Sequence, residues 1–145
     1  MRLVIQRVSR AAVRVGEKTI AEIGPGLMVL VGVGHGDGTA EAEWLAGKVY
    51  HLRIFEDPEG KMNRSLAEVG GEVLVVPQFT LYGDAGKGRR PSWAAAAPPE
   101  EAARRVDDLA AALETLGASV ERGSFREHME VELVNDGPVT ILLES

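Results

Sequence analysis

Leu27-Met28-Val29-Leu30-Val31-Gly32-Val33 decides the fold, because it is a continuous apolar run of strand length. A half-exposed strand alternates polar and apolar residues, so an unbroken run reads as a strand covered on both faces. Gly24-Pro25-Gly26 breaks the chain just before it. Upstream, Leu3 and Ile5 alternate with Arg2, Val4 and Gln6, and the pattern carries on to Val8, then Val13 and Val15. Gly16-Glu17 has the chemistry of a two-residue hairpin turn, with Thr19 to Ile23 as the returning strand.

Downstream the glycine-rich stretch Val31-Gly32-Val33-Gly34-His35-Gly36-Asp37-Gly38 lacks both the dinucleotide spacing and a Gly-Lys-Ser/Thr ending. It reads as a strand-to-helix connection. Thr39 can cap a helix through Phe55, with Glu41 and Glu43 near its positive end and Ala42, Leu45, Val49 and Leu52 as the buried stripe. A charged loop follows, then a short buried strand at Glu72 to Val76. Pro98-Pro99 opens a second helix with Glu100 and Glu101 in its first turn. Val106, Leu109, Leu113 and Leu116 form its apolar face, and Gly117 ends it. Strands are expected at Ser119–Arg122, Glu130–Val134 and Val139–Leu143, the last two joined by Asn135-Asp136-Gly137-Pro138. The order β-rich, helix, β, helix, β-rich predicts an α+β fold: two packed β-sheets, as a sandwich or half-barrel, under a layer of two main helices. One domain should span residues 1–145.

The 145 residues are 45% hydrophobic and 26% charged, the balance of a globular chain rather than a disordered one. No apolar stretch approaches the roughly 18–20 residues that cross a bilayer, so no membrane partner is expected. The opening goes straight into a strand pattern, which speaks against a secretory leader and makes the cytoplasm the expected compartment. Cysteine is absent, removing disulfides, thiolate metal sites and cysteine nucleophiles. His35, His51 and His128 form no metal-ligand spacing, so neither metal nor cofactor is expected. The net charge of −6 disfavours a broad nucleic-acid-coating surface. A polyanion would have to be met by a local basic patch.

Two segments could carry chemistry. Pro77-Gln78-Phe79-Thr80-Leu81-Tyr82 leaves a buried strand for a glycine-rich loop with Lys87, Arg89, Arg90 and Trp93, the one dense basic cluster. Backbone amides freed at a strand end can bind an oxyanion, and the cations with the indole could meet phosphates and a base. Thr80 is the obvious nucleophile candidate, yet no histidine lies near it in sequence, and a buried, cap-like hydroxyl is the expected role. The second segment is Asn135-Asp136-Gly137-Pro138-Val139-Thr140. Its Gly-Pro step can be cis, but Asn-Asp-Gly alone is explained by an ordinary hairpin turn.

Together these residues resemble the D-aminoacyl-tRNA deacylases, and the likeness covers essentially the whole chain. It is carried by Gln6-Arg7-Val8, by Gly60-Lys61-Met62-Asn63-Arg64-Ser65-Leu66 and by the segment from Gln78 to Ser92. Ser124-Phe125 with His128-Met129, and Asn135 to Thr140, complete it. The resemblance implies a homodimeric hydrolase that removes D-amino acids, and mischarged glycine, from tRNA. Gly137-Pro138 would be a cis step reaching into the partner's site, its carbonyls holding the α-amino group and excluding an L side chain. Gln78, Phe79 and Thr80 would line the pocket and supply oxyanion donors from their backbone. Phe125 would pack on the terminal adenine, with Arg7 and Met129 bracing the crossing motif, and Lys87, Arg89 and Arg90 are expected to meet the tRNA. The attacking water would be activated by the tRNA's own 2′-hydroxyl. One departure stands out: the family usually has Ser where this chain has Pro77. A related deacylase for L-alanine on the wrong tRNA carries Pro-Gln there and is one alternative. A non-catalytic RNA-binding dimer is another, and a threonine hydrolase of small esters or peptides a third.

Overall fold

The computed structural model describes residues 1–145. In chain order the elements are β1 (Arg2–Val15), β2 (Lys18–Ile23), β3 (Gly26–Gly32), α1 (Thr39–His51), β4 (Phe55–Glu56), β5 (Met62–Arg64), α2 (Leu66–Val69), β6 (Glu72–Pro77), a 3₁₀ turn (Phe79–Tyr82), α3 (Pro99–Leu116), β7 (Ser119–Arg122) and β8 (Glu130–Glu144). Six strands form one mixed sheet in the order β2-β1-β3-β6-β7, with β8 paired to β1, and β4-β5 form a small second sheet. The pairings β3–β6 and β6–β7 are parallel and the rest antiparallel. β1 pairs β8 along its whole length, β3 through Arg2–Val8 and β2 through Ala11–Val15, and the sheet curls there into a half-barrel.

Strand parity accounts for two apolar cores. Successive side chains of a strand point to opposite faces. Leu27, Val29 and Val31 of β3, with Val73 and Val75 of β6, face the helices. Met28, Leu74 and Val76 face into the curl with Val8, Ala11 and Val13. The run that reads as a doubly covered strand is one. β1 changes core along its length, from Leu3 and Ile5 on the helix side to Val8 and Val13 in the curl. Its register against β8 shifts twice in that interval. The helix layer is α1 and α3, whose Leu45, Val49, Leu109 and Leu113 are fully buried against the sheet and each other. Burying one such side chain contributes about 1.5–3 kcal/mol.

Three sequence readings are corrected. Gly38, not Thr39, caps α1, its N–H donating to Glu41 Oε2 at 2.8 Å. The helix stops at His51 because Leu52 is already extended, and Phe55 belongs to β4. The last two expected strands are one, β8, with Asn135-Asp136-Gly137-Pro138 inside it rather than at a hairpin turn. Both halves of β8 pair the same strand antiparallel, so the chain cannot reverse between them. Gln6 faces Thr140 and Val8 faces Asn135, leaving four residues of β8 opposite Arg7 alone. Residues 136 to 139 therefore stand out as an excursion, an enlarged form of the bulge that extra residues force on a ladder. The Gly137–Pro138 peptide is cis.

Candidate active site

The Gln78–Tyr82 segment is set by what lies beneath it. Gln78 N–H donates to Val31 O at 2.7 Å, continuing the β3–β6 pairing one residue past Pro77. The 3₁₀ turn then lies on the end of β3. A Cβ at Gly32 would come within 2.9 Å of Leu81 Cβ, and one at Gly34 within 2.7 Å of the Tyr82 hydroxyl. The glycine-rich stretch is thus the bed of this turn. Tyr82 donates to Asp37 Oδ2 at 3.4 Å, Arg2 stacks 4.5 Å over its ring, and Arg2 also donates to Leu81 O at 3.2 Å. Burial, with the Asp37 charge beside it, pushes the Tyr82 phenol up to about 12.

The first N–H groups of a helical turn have no acceptor behind them. Those of Phe79 and Thr80 donate to no group of the chain, whereas Gln78 N–H is committed to Val31. Two free donors at a strand end can stabilise an oxyanion. Thr80 is exposed, not buried as expected, and its hydroxyl accepts from Gln78 Nε2. It sits inside the turn, so the hydroxyl meets its neighbour's amide rather than the core.

Beside the turn opens a cleft of about 710 Å³, the size of a small-molecule site. Its walls come from the end of β6, the 3₁₀ turn, Trp93 to Pro99, the start of α3, the β7–β8 loop and Val131. Gln78, Phe79, Phe125 and Met129 of the sequence-derived set line it together, and Pro77 is in the wall. Met129 is drawn in by its sulfur, which accepts Ser124 N–H at 3.2 Å. The cleft also takes in His35, Arg126 and the proline pair Pro98-Pro99, which the sequence does not point to as site residues. His128 stands out in the sequence only as part of a motif, and Trp93 only with the basic loop. Phe79 and Trp93 meet edge to face with centroids 5.7 Å apart, and both are exposed. His35 Nε2 lies 3.1 Å from Ala94 O. Nowhere do three His, Asp or Glu side chains gather as a metal site would require.

Arg7, Gly137 and Pro138 are not in this cleft's wall; they form a second cluster on β1 and β8. Arg7 shares strand parity with Leu3 and Ile5, so its side chain is carried inward and the residue is 5% exposed. Its Nη1 donates to Ile54 O at 2.6 Å and its Nε to Asp136 O at 3.1 Å, with Glu56 and Asp136 carboxylates at 4.0 and 3.5 Å. A buried charge needs such partners. Asn135 Nδ2 closes the neck of the excursion, donating to Arg7 O and Val139 O, both at 2.9 Å. Gly137 and Pro138 at the tip are exposed. Lys87, Arg89 and Arg90 sit on an exposed loop closed by the Asp84–Ser92 bridge, outside the cleft wall.

The family model described as D-Tyr-tRNA(Tyr) deacylase matches residues 4–144. A D-aminoacyl-tRNA deacylase of Heliobacterium modesticaldum is 59% identical over 144 residues, 99% of this chain and 96% of that one. Another, of Thermomicrobium roseum, is 61% identical over 145 residues, 100% of this chain and 94% of its own. Among solved structures, one titled c-Myc DNA Unwinding Element Binding Protein is 39% identical with a TM-score of 0.94, covering 100% of this chain and 99% of that one. A probable eukaryotic D-amino acid tRNA deacylase, 20% identical at TM-score 0.81 over 98% of this chain and 97% of its own, shares the fold. Matched along its whole length, the chain belongs to the D-Tyr-tRNA(Tyr) deacylase family.

Proposed function

We propose that the chain hydrolyses the ester of D-aminoacyl-tRNA, and of glycine mischarged on tRNA, to free tRNA and amino acid. The observation that carries this reading is the full-length likeness to proteins named D-aminoacyl-tRNA deacylases, at 59% and 61% identity. The geometry supports a definite division of labour. The terminal adenosine stacks on Phe125 in the cleft, which places the ester carbonyl against the free N–H groups of Phe79 and Thr80. The site offers these donors without a paired nucleophile and base, because the Thr80 hydroxyl is bonded to Gln78 and not to a histidine. The 2′-hydroxyl of the terminal ribose then activates the attacking water, and the protein contributes positioning and oxyanion stabilisation.

The working unit is a homodimer in the cytoplasm. β8 uses one edge to pair β1 and has no strand on the other, while Val134 and Leu142 are exposed along it. An unpaired strand edge of this length, with two large apolar side chains exposed beside it, favours cover by a second chain. No helix is long and apolar enough to cross a membrane. The Gly137-Pro138 tip of one subunit enters the cleft of the other, holds the substrate's α-amino group by its carbonyls, and leaves no room for an L side chain. Lys87, Arg89 and Arg90 meet the body of the tRNA.

Pro77 in the cleft wall favours one second reading, a deacylase for L-alanine on the wrong tRNA. Hydrolysis of D-tyrosyl-, glycyl-, L-tyrosyl- and L-alanyl-tRNA by purified protein decides between them. D-tyrosyl- and glycyl-tRNA should be cleaved and the two L-esters spared. L-alanyl-tRNA cleaved in preference to D-tyrosyl-tRNA overturns the D-specific reading, and no turnover of any ester leaves only an RNA-binding role.

A further inference from the structure

The loop between β7 and β8 carries a cation that nothing else in the fold uses. Arg126 stands at φ +66°, the one non-glycine residue in left-handed backbone. That conformation is unfavourable for a residue with a Cβ, and arginine has no short polar side chain to offset it as Asn or Asp does. The turn is fixed at both ends, with Gly123 N–H donating to Val75 O at 2.8 Å and Ser124 N–H to the Met129 sulfur at 3.2 Å. Arg126 is exposed in the cleft wall, one residue after Phe125. The guanidinium makes no ion pair and no hydrogen bond, although most arginines here have one, such as Arg122 with Glu114 and Arg10 with Glu132. Residues held in sparsely populated backbone conformations cluster where ligands are clamped.

The charges around it make its position meaningful. Glu127 is the cleft's one acidic lining residue, and Glu100 and Glu101 follow at the start of α3. Lys87, Arg89 and Arg90 are outside the wall. In a chain of net charge −6, a phosphate entering this cleft meets Arg126 as its one permanent cation. We infer that Arg126 binds the 5′-phosphate of the tRNA's terminal adenosine, forming a phosphate subsite beside the adenine. This rests on the proposed seating of that adenine on Phe125. A planar guanidinium suits the task because it can present two parallel N–H donors to phosphate oxygens.

Arg126→Gly tests this, since it removes the guanidinium and relieves the left-handed backbone together. Binding of AMP and of adenosine to the wild type and the variant is measured by calorimetry. Hydrolysis of D-tyrosyl-tRNA, of the D-tyrosyl ester of AMP and of the D-tyrosyl ester of adenosine is followed beside it. Wild type should prefer AMP to adenosine by about tenfold, the scale of one charge-assisted contact. Arg126→Gly should lose that preference, raise KM about tenfold for the two phosphate-bearing esters, and leave the adenosine ester and the melting temperature unharmed. Arg126→Lys should retain part of the preference. An equal loss on the adenosine ester, or an AMP preference that survives in Arg126→Gly, overturns the subsite. Wild type that prefers AMP yet cleaves no D-ester overturns the proposed function and leaves the subsite standing.

Discussion

Gly137→Ala adds one methyl group at the tip of the β8 excursion, and its consequence can be worked from the surrounding atoms. The new Cβ would lie 2.9 Å from Arg7 Nη2, 2.9 Å from Val139 Cγ2 and 3.2 Å from Val139 N, at a φ of +121°. Holding alanine in that backbone region costs about 1–3 kcal/mol, and overpacking a filled site typically costs a further ~1–3 kcal/mol. Arg7 cannot swing aside freely, because its Nη1 is bonded to Ile54 O and its Nε to Asp136 O. Breaking one such charged hydrogen bond costs about 1.5–3 kcal/mol. The cheaper response is for the exposed tip to shift outward, which keeps the loss of stability near 1–3 kcal/mol and moves the tip instead. If the tip completes a partner's site, a similar loss of transition-state stabilisation slows D-tyrosyl-tRNA hydrolysis by roughly ten- to hundredfold, at 1.36 kcal/mol per decade. Gly16→Ala is the control, since its Cβ meets nothing within 4 Å and its φ of +59° carries the backbone cost alone. It should lose stability and keep activity. Adding Val139→Ala to Gly137→Ala removes the clash with Cγ2 and should restore part of the rate. Wild-type turnover by Gly137→Ala would refute the reasoning, because a displaced tip would then be irrelevant to the chemistry.

Replacing Lys87, Arg89 and Arg90 together by Ala should weaken tRNA binding and flatten its dependence on salt, by about 0.7–0.9 in the log–log slope for each phosphate no longer neutralised. Filter binding across a salt series reads this, and an unchanged slope places the tRNA elsewhere. Tyr82 provides an alkaline signature. Its folded pKa is about 12 against an ordinary 10.0, so between those values the unfolded chain gives up a proton that the fold keeps. Stability should fall as pH rises from 10 to 12, and Tyr82→Phe should flatten that fall in denaturant titrations. A wild-type curve already flat there would show that the phenol is not held by its surroundings.

Much of the fold was legible because it obeys local rules. The hairpin at Gly16-Glu17, the doubly buried β3, and α3 between Pro98 and Gly117 follow from periodicity and caps. The misreadings share a physical cause. The overrun of α1 past His51 and the broken β8 both come from judging a segment by its own residues when a distant partner decides it. Asn-Asp-Gly is good turn chemistry, but β1 holds both flanks of it in one ladder and turns the surplus residues into a projection. The glycine run reads as a plain strand-to-helix connection because the side chains that need its bareness, Leu81 and Tyr82, come far later in the chain. The sequence does not bring His35, Trp93 and Arg126 together in one cleft for the same reason. Each comes from a different loop, and their meeting is a property of the sheet order alone.

The site's weakest side-chain chemistry and its strongest backbone chemistry point the same way. A positioned general base typically contributes about 10²–10⁴-fold, and one oxyanion donor about 10²–10³-fold. His35 is turned to the Ala94 carbonyl, His128 is exposed, and the Thr80 hydroxyl is bonded to Gln78. The free N–H groups of Phe79 and Thr80 remain, and no substitution other than proline removes them. Two donors can match what a base would supply, provided the ester is held against them. That condition transfers the burden to whatever fixes the amino acid and the nucleotide. In the proposed reading those are the excursion clamped by Arg7 and Asn135 and the cleft wall that includes Phe125. Side-chain scanning of Gln78–Thr80 alone would therefore understate this site. Changes that move its backbone, at the glycines under Tyr82 or at the Asn135 neck, should cost more than loss of the Thr80 hydroxyl.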